Sequence, residues 1–337
     1  MTAIIADGSH NQTLASLVAT APLLCAPARA QERYEELFSS AEPRSFMVSE
    51  SVLPLLLAIA DHSPYLWRLI VIDPERLRDL LENTPAASLS GALADMRDHC
   101  KAALDQSQVA QAIRQTKQKI ALLVALADLG GVWDVMQVTE ALTRFADAAV
   151  SDALAFLLAE AGRSGKLILN EQSPEQGCGF VVLALGKQGA GELNYSSDID
   201  LVVLFDPDSP ALAAGVEPAP LFVRLTQSLA RLLQERTGDG YGLRVDLRLR
   251  PDPGSTSVAI GLHAALSYYE MLGQNWERAA FIKARPIAGD CALGENFLRD
   301  LAPFIWRKYF DYAAIADIHA MKRQIHAFRG HEEIAVA

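Results

Sequence analysis

Residues 180–205 read FVVLALGKQGAGELNYSSDIDLVVLF. Two apolar runs, Phe180 to Leu185 and Ile199 to Phe205, have the length and residue types of buried strands. Between them lies a glycine-rich loop that opens at Gly186 and Lys187. Two serines, Ser196 and Ser197, then lead into Asp198 and Asp200. Residues two apart on a strand face the same side. The second run therefore presents Asp198 and Asp200 together, with Ile199 buried behind them. Ser196, Ser197 and the loop amides near Gly189 and Gly191 are candidates for contacting a phosphate.

A third acidic residue lies downstream. Tyr241 to Leu249 alternates as a strand, with Leu243, Val245, Leu247 and Leu249 on one face. The other face carries Arg244, Asp246, Arg248 and Arg250. Two carboxylates held ~4 Å apart repel by about 4 kcal/mol at an effective dielectric of ~20. A divalent cation removes that penalty, and hard oxygen ligands suit Mg²⁺ or Mn²⁺. Three carboxylates can hold two such ions ~3.5–4 Å apart, an arrangement used for displacement at phosphorus. The metal reading therefore takes Asp198, Asp200 and Asp246. A plainer reading has Asp198 capping a strand start and Asp246 pairing with an arginine. Asp-x-Asp alone decides nothing, since Asp206-Pro207-Asp208 has the same spacing and reads as a solvated turn. The signal is the ordered set of strand, Gly-Lys loop, Ser-Asp-x-Asp and a later Asp.

The rest of the chain sets bounds. At about 150 residues per domain, 337 residues suggest about two domains. Half the residues are apolar and 21% are charged, which predicts ordinary globular cores. No apolar run reaches the ~20 residues of a membrane helix, so no membrane association is expected. There is no Lys or Arg before Arg29, which argues against a secretory leader despite the apolar stretch Leu14 to Ala28. Cys25, Cys100, Cys178 and Cys291 include no CxxC pair, which disfavours a disulfide framework or a zinc site and fits a cytoplasmic location. The net charge of −11 argues against nucleic acid as the main partner.

The expected organisation is a helical region over 1–169, an α/β core over 170–262 and a helical segment over 263–337. Pro54, Pro64, Pro74 and Pro85 divide the early part into short helices. Gly130 and Gly131 end a further one, and another runs from about Val138 to Glu160. Other candidates carry less. GRSGK at Gly162 to Lys166 lacks the full Walker A spacing, and Gly186-x-x-Gly189-x-Gly191 is not the dinucleotide fingerprint. His319, His326 and His331 have no acidic or cysteine partners at ligand spacing. Trp276, Trp306, Tyr268 and Tyr269 are read as core packing. Glu277 and Arg278 are read as a structural ion pair or as residues reaching the site.

At this point the sequence resembles a known family. The stretch quoted above, with VDLRLRPDPGS, YYEMLGQNWERAAFIKARPIAGD and PFIWRKYFDY, resembles the nucleotidyltransferase core of glutamine synthetase adenylyltransferase/adenylyl-removing enzymes. The likeness spans about residues 115 to 330. It implies an α+β fold with a polymerase-β-like mixed sheet flanked by helical regions. That family carries two nucleotidyltransferase halves. One removes AMP from a tyrosine of glutamine synthetase by phosphorolysis, giving ADP, and the other attaches AMP from ATP. The loop Glu192 to Asp198 (ELNYSSD), the stretch Tyr268 to Arg285 and the position of the motif resemble the first half. The resemblance implies Mg²⁺, with Mn²⁺ as the alternative, held by Asp198, Asp200 and Asp246. It implies that Gly186 and Lys187 form the phosphate-side loop. Lys187, Arg248 and Arg250 are the candidates for positioning inorganic phosphate. Glutamine synthetase is the implied partner, with the nitrogen regulatory PII protein as a second. Adenylyl transfer from ATP and an inactive binding module are the alternatives. Because the family's chain continues into a further bundle and a second half, the expectation is that 337 residues are a fragment.

Overall fold

A computed structural model of the chain describes residues 12–40, 49–170, 172–238, 240–306 and 323. The expected helix Met321 to His331, with His319, His326 and His331, lies outside the described residues. Within them the chain divides into two compact units. The first takes the chain up to residue 149, with 191–196 and 236–242; the second takes 150–190, 197–235 and the chain from 243 onward. Among the described residues, no single helix is long and apolar enough to cross a membrane.

The first unit is helical. Its helices are α1 (Leu14–Leu17), α2 (Pro27–Ser40), α3 (Leu53–His62), α4 (Pro64–Ile72), α5 (Pro74–Glu82), α6 (Pro85–Ala102) and α7 (Gln106–Leu129). The division between the units falls within α8 (Val135–Arg163). Each of the four early prolines sits in the first turn of a helix, where its missing N–H costs nothing. Ser63 shows how the chain turns a corner. It closes α3, its hydroxyl caps α4, and the two helices bend by 119°. Asp73, Thr84 and Asp105 cap α5, α6 and α7 in the same way. Asp134 and Gln137 exchange side-chain-to-backbone bonds of 2.9 Å at the start of α8. The buried faces supply Leu55, Leu56, Ile59, Ile70, Leu80, Met96, Ile113 and Leu123 to the core.

The second unit is built on a mixed sheet. Its strands are β1 (Phe180–Ala184), β2 (Ile199–Phe205), β3 (Val245–Asp246), β4 (Ile260–Gly261) and β5 (Arg285–Gly289). The order is β3-β2-β1-β5, with β4 also on β2. β1 runs antiparallel to both β2 and β5, whereas β3 and β4 run parallel to β2. β1 and β2 are buried along their length except at Asp200. Val181, Leu183, Val202 and Leu204 meet Tyr269, Phe281, Phe297 and Leu301. Those side chains come from α11 (Leu262–Met271), α12 (Asn275–Phe281) and α13 (Cys291–Ile305). The alternate residues Phe180 and Phe205 pack on Phe222 of α10 (Pro218–Gln234), with ring centroids 5.3 and 5.2 Å away. A further helix is α9 (Gly186–Ala190).

Four sequence expectations change. Residues 186–190 form a turn of helix rather than an open loop. The strand expected over Tyr241 to Leu249 is only two residues long. Asp246 ends it, because its carboxylate accepts the backbone N–H of Arg248 at 2.7 Å and turns the chain. The region after His263 is not wholly helical, since β5 interrupts it and fills the free edge of β1. Trp276 and Trp306 are 38% and 63% exposed, so only Tyr269 of the expected aromatic core is fully buried.

Glu277 is buried completely. Its Oε2 accepts the Gln274 N–H at 2.8 Å and the Tyr268 hydroxyl at 3.3 Å, closing the capping box of α12. It therefore acts as a cap rather than as the partner of Arg278. Burial raises its pKa, so the ionised form is disfavoured in the folded state and stability falls as pH rises through that raised value. Glu277→Gln keeps the acceptor without the charge and is expected to match or exceed the wild-type melting temperature at neutral pH. Glu277→Ala leaves two donors unpaired and is expected to lose about 1–3 kcal/mol in denaturant unfolding.

Candidate active site

The sheet register brings two of the three acids together, with the third two residues away along the chain. Asp198 precedes β2 and Asp200 lies on it, two residues on. Asp200 stands opposite Asp246 in the parallel ladder of β2 and β3. The Leu185 N–H donates to the Asp200 carbonyl at 2.9 Å, and the Ile199 N–H donates to the Arg244 carbonyl at 2.9 Å. Backbone bonds on both sides thus fix the strand that carries the acids.

Asp200 bears the electrostatic cost. Burial raises its carboxyl pKa first, and the charges of Asp246 and Asp198 raise it further. Arg248 and Lys187 partly offset this. The outer acids have their own counter-charges. Asp198 pairs with the Arg244 guanidinium. Asp246 takes the Arg248 guanidinium on both oxygens, which holds its carboxyl below the usual range. Among the described residues, Asp200 forms no ion pair of its own. The plainer reading therefore describes Asp246 well and leaves Asp200 unexplained.

Gly186 has φ +56°, and a Cβ added there would lie 2.4 Å from Asp200 Oδ2. The chain can pass this close to the carboxylate only because Gly186 has no side chain. Gly189 is confined too, since a Cβ would lie 2.3 Å from the Lys283 carbonyl. Its amide donates to Leu185 at 2.9 Å, so that amide serves the helical turn. Lys187 is exposed beside Asp200. Ser197 is half-buried at the entry to β2. Ser196 is exposed in the 191–196 segment of the first unit, and Gly191 at the segment's start is half-buried.

Arg248 lies beyond the end of β3, with its side chain 82% exposed. Arg250 is spent on backbone. Its guanidinium donates to the carbonyls of Leu247 at 2.7 Å, Pro253 at 2.8 Å and Thr256 at 3.2 Å. It ties down the RPDPGS turn, in which Asp252 has a strained φ of +38°. Two residues were not singled out by the sequence reading. Arg244 is one, although the charged face of RVDLRLR already contained it. The other is Arg285 on β5, which donates to the Gln188 carbonyl at 3.0 Å and the Gly189 carbonyl at 3.3 Å. It steadies the C-terminal end of the α9 turn.

The donors are all carboxylate oxygens, they interact electrostatically with one another, and among the described residues Asp200 forms no ion pair. That set fits a hard divalent cation such as Mg²⁺ or Mn²⁺.

A sequence model for glutamate-ammonia ligase adenylyltransferase matches residues 53–300. A protein of Bradyrhizobium diazoefficiens is 51% identical over 334 residues, covering 97% of this chain and 34% of its own length. A Xanthobacter autotrophicus protein is 49% identical, over 98% of this chain and 34% of its own. One from Rhodopseudomonas palustris is 49% identical, over 99% and 34%. All three are described as bifunctional glutamine synthetase adenylyltransferase/adenylyl-removing enzymes. The chain spans about a third of the length of these relatives.

Proposed function

The chain belongs to the glutamate-ammonia ligase adenylyltransferase family, and from that premise we propose that it carries the adenylyl-removing site. The reaction is phosphorolysis of AMP from a modified tyrosine of glutamine synthetase, giving ADP. The observation that supports it most is the pairing of Asp200 with Asp246 in the β2–β3 ladder, with Asp198 close enough to act on Asp200 electrostatically and, among the described residues, no ion pair on Asp200. The mixed sheet, with Asp198 just before β2 and Asp200 on it, supports a polymerase-β-like nucleotidyltransferase core.

Asp198, Asp200 and Asp246 would hold Mg²⁺, or Mn²⁺ in its place. Bound there, the metal supplies charge neutralisation for a phosphorus centre under attack. An oxygen of inorganic phosphate forms the new bond to the AMP phosphorus. The bond from phosphorus to the tyrosine oxygen breaks, leaving ADP and a free tyrosine. A phenol has a pKa near 10, so it leaves more readily than a serine alkoxide. Lys187 sits beside Asp200 and is placed to bind the incoming anion. Arg248, paired with Asp246, is the second candidate for that anion, while Arg250 holds the turn that follows it.

Arg244 and Arg248 compete with a metal for the same carboxylates. Arg244→Gln is expected to tighten Mg²⁺ binding severalfold in a calorimetric titration and to lower turnover. Unchanged affinity would contradict this role.

The direction of reaction is tested with two mixtures. One holds the chain, adenylylated glutamine synthetase, Mg²⁺ and inorganic phosphate, and is assayed for ADP. The other holds unmodified glutamine synthetase and ATP, and is assayed for pyrophosphate. Phosphate-dependent ADP supports adenylyl removal; pyrophosphate alone transfers the assignment to adenylyl transfer. The PII protein is a proposed regulatory partner, tested by its effect on the ADP rate.

A further inference from the structure

A second set of donor atoms lies in the first unit, remote in sequence from the acids on the sheet. Cys25, Asp61 and His62 place a thiol sulfur, a carboxylate oxygen and an imidazole nitrogen within 4.8 Å of one another. Asp61 and His62 form the last residues of α3, and Cys25 stands two residues ahead of α2.

The Asp61 side chain is fully buried. Its Oδ2 accepts the backbone N–H groups of Cys25 at 2.6 Å and Ala26 at 2.8 Å. Its Oδ1 accepts Arg29 Nη2 at 3.0 Å. These bonds pull its pKa down to about 2, so it is a carboxylate throughout the physiological range. Capping the start of α2 is a sufficient reason for Asp61. It is no reason for a thiol and an imidazole at the same spot. A carboxylate has about four lone-pair sites, of which these bonds use three. His62 Nε2 lies 2.7 Å from the Leu23 carbonyl and 3.8 Å from Asp61 Oδ2. Metal-binding histidines and carboxylates are characteristically oriented by such outer hydrogen bonds.

We propose that Cys25, Asp61 and His62 bind a borderline-soft divalent cation of the Zn²⁺ type, with water completing the coordination. One sulfur, one nitrogen and one oxygen suit Zn²⁺ or Co²⁺ and are a poor set for Mg²⁺. Binding requires the thiolate and a ring nitrogen with its lone pair free, so loading releases protons to solvent. The ion would tie the 23–26 segment to the end of α3, giving it a structural role in the helical unit. The proposal stands apart from the reading of Asp198, Asp200 and Asp246 and survives its failure.

The test is a Co²⁺ titration of the whole chain in excess Mg²⁺, followed by absorption. The expected result is a thiolate-to-cobalt charge-transfer band saturating at one equivalent, displaced by Zn²⁺. Cys25→Ser and His62→Ala should each weaken binding at least about tenfold. Asp200→Asn should leave it unchanged. Zn²⁺ should raise the melting temperature of the wild type and not of Cys25→Ser, whose metal-free melting curve serves as the folding control. Absence of the band, a band that persists in Cys25→Ser, or unchanged affinity in His62→Ala would overturn the proposal.

Discussion

Asp200→Asn is expected to lose Mg²⁺-dependent turnover by about a thousandfold or more, and to be at least as stable as the wild type without metal. The first effect follows from the several kcal/mol that a metal contributes to charge neutralisation at phosphorus, at about 1.4 kcal/mol per tenfold in rate. The second follows from the raised pKa of Asp200, whose causes are burial and then the charges of Asp246 and Asp198. An acid whose folded pKa is raised binds more protons when folded than when unfolded. Its stability contribution is therefore lost as pH rises through the raised value. Ionisation of Asp200 costs the metal-free fold stability, and Asn removes that burden. Melting curves with and without Mg²⁺ check both halves. Mg²⁺ should stabilise the wild type and leave Asp200→Asn unaffected.

Gly186→Ala is the second large effect. The new Cβ would stand 2.4 Å from Asp200 Oδ2, so the carboxylate or the turn must move. Catalytic geometry is sensitive at this scale, with a 1 Å displacement costing on the order of a hundredfold. Holding an alanine at φ +56° adds about 1–2 kcal/mol of strain. Gly165→Ala separates the two contributions. Gly165 has φ +70° but nothing within 4 Å of an added Cβ. It should lose similar stability and keep its turnover. If both variants lose turnover equally, the close approach of Gly186 to Asp200 has no special role.

The site was more legible than the sheet around it. Spacing alone sets Asp198 and Asp200 on one side of an extended chain, although Asp198 precedes the strand and only Asp200 lies on it. Asp246 was marked by its place on an alternating strand, yet its register with Asp200 depends on the pairing of β3 with β2. The same carboxylate also shortened the strand, by accepting the Arg248 N–H. Short-range competition of this kind is invisible to a pattern of alternating residues. The sequence RPIAG has neither the length nor the alternation of a strong strand. It becomes β5 because β1 offers an unpaired edge. Arg250 looked like an anion-binding residue by charge, but its donors are taken by carbonyls of its own turn. Glu277 looked like half of an ion pair, and burial with the Gln274 N–H made it a helix cap instead. For β5 a tertiary partner, and for Asp246, Arg250 and Glu277 a neighbour in the chain, decided between roles that the residue pattern left open.

The metal-site claim is tested most directly by Mn²⁺ binding followed by electron paramagnetic resonance, in the presence of ADP and inorganic phosphate. The account predicts saturable binding in the wild type. Asp200→Asn should lose most of it, while Cys25→Ser retains it. Equal Mn²⁺ binding by the wild type and Asp200→Asn would contradict the assignment of Asp198, Asp200 and Asp246 as the metal-holding site.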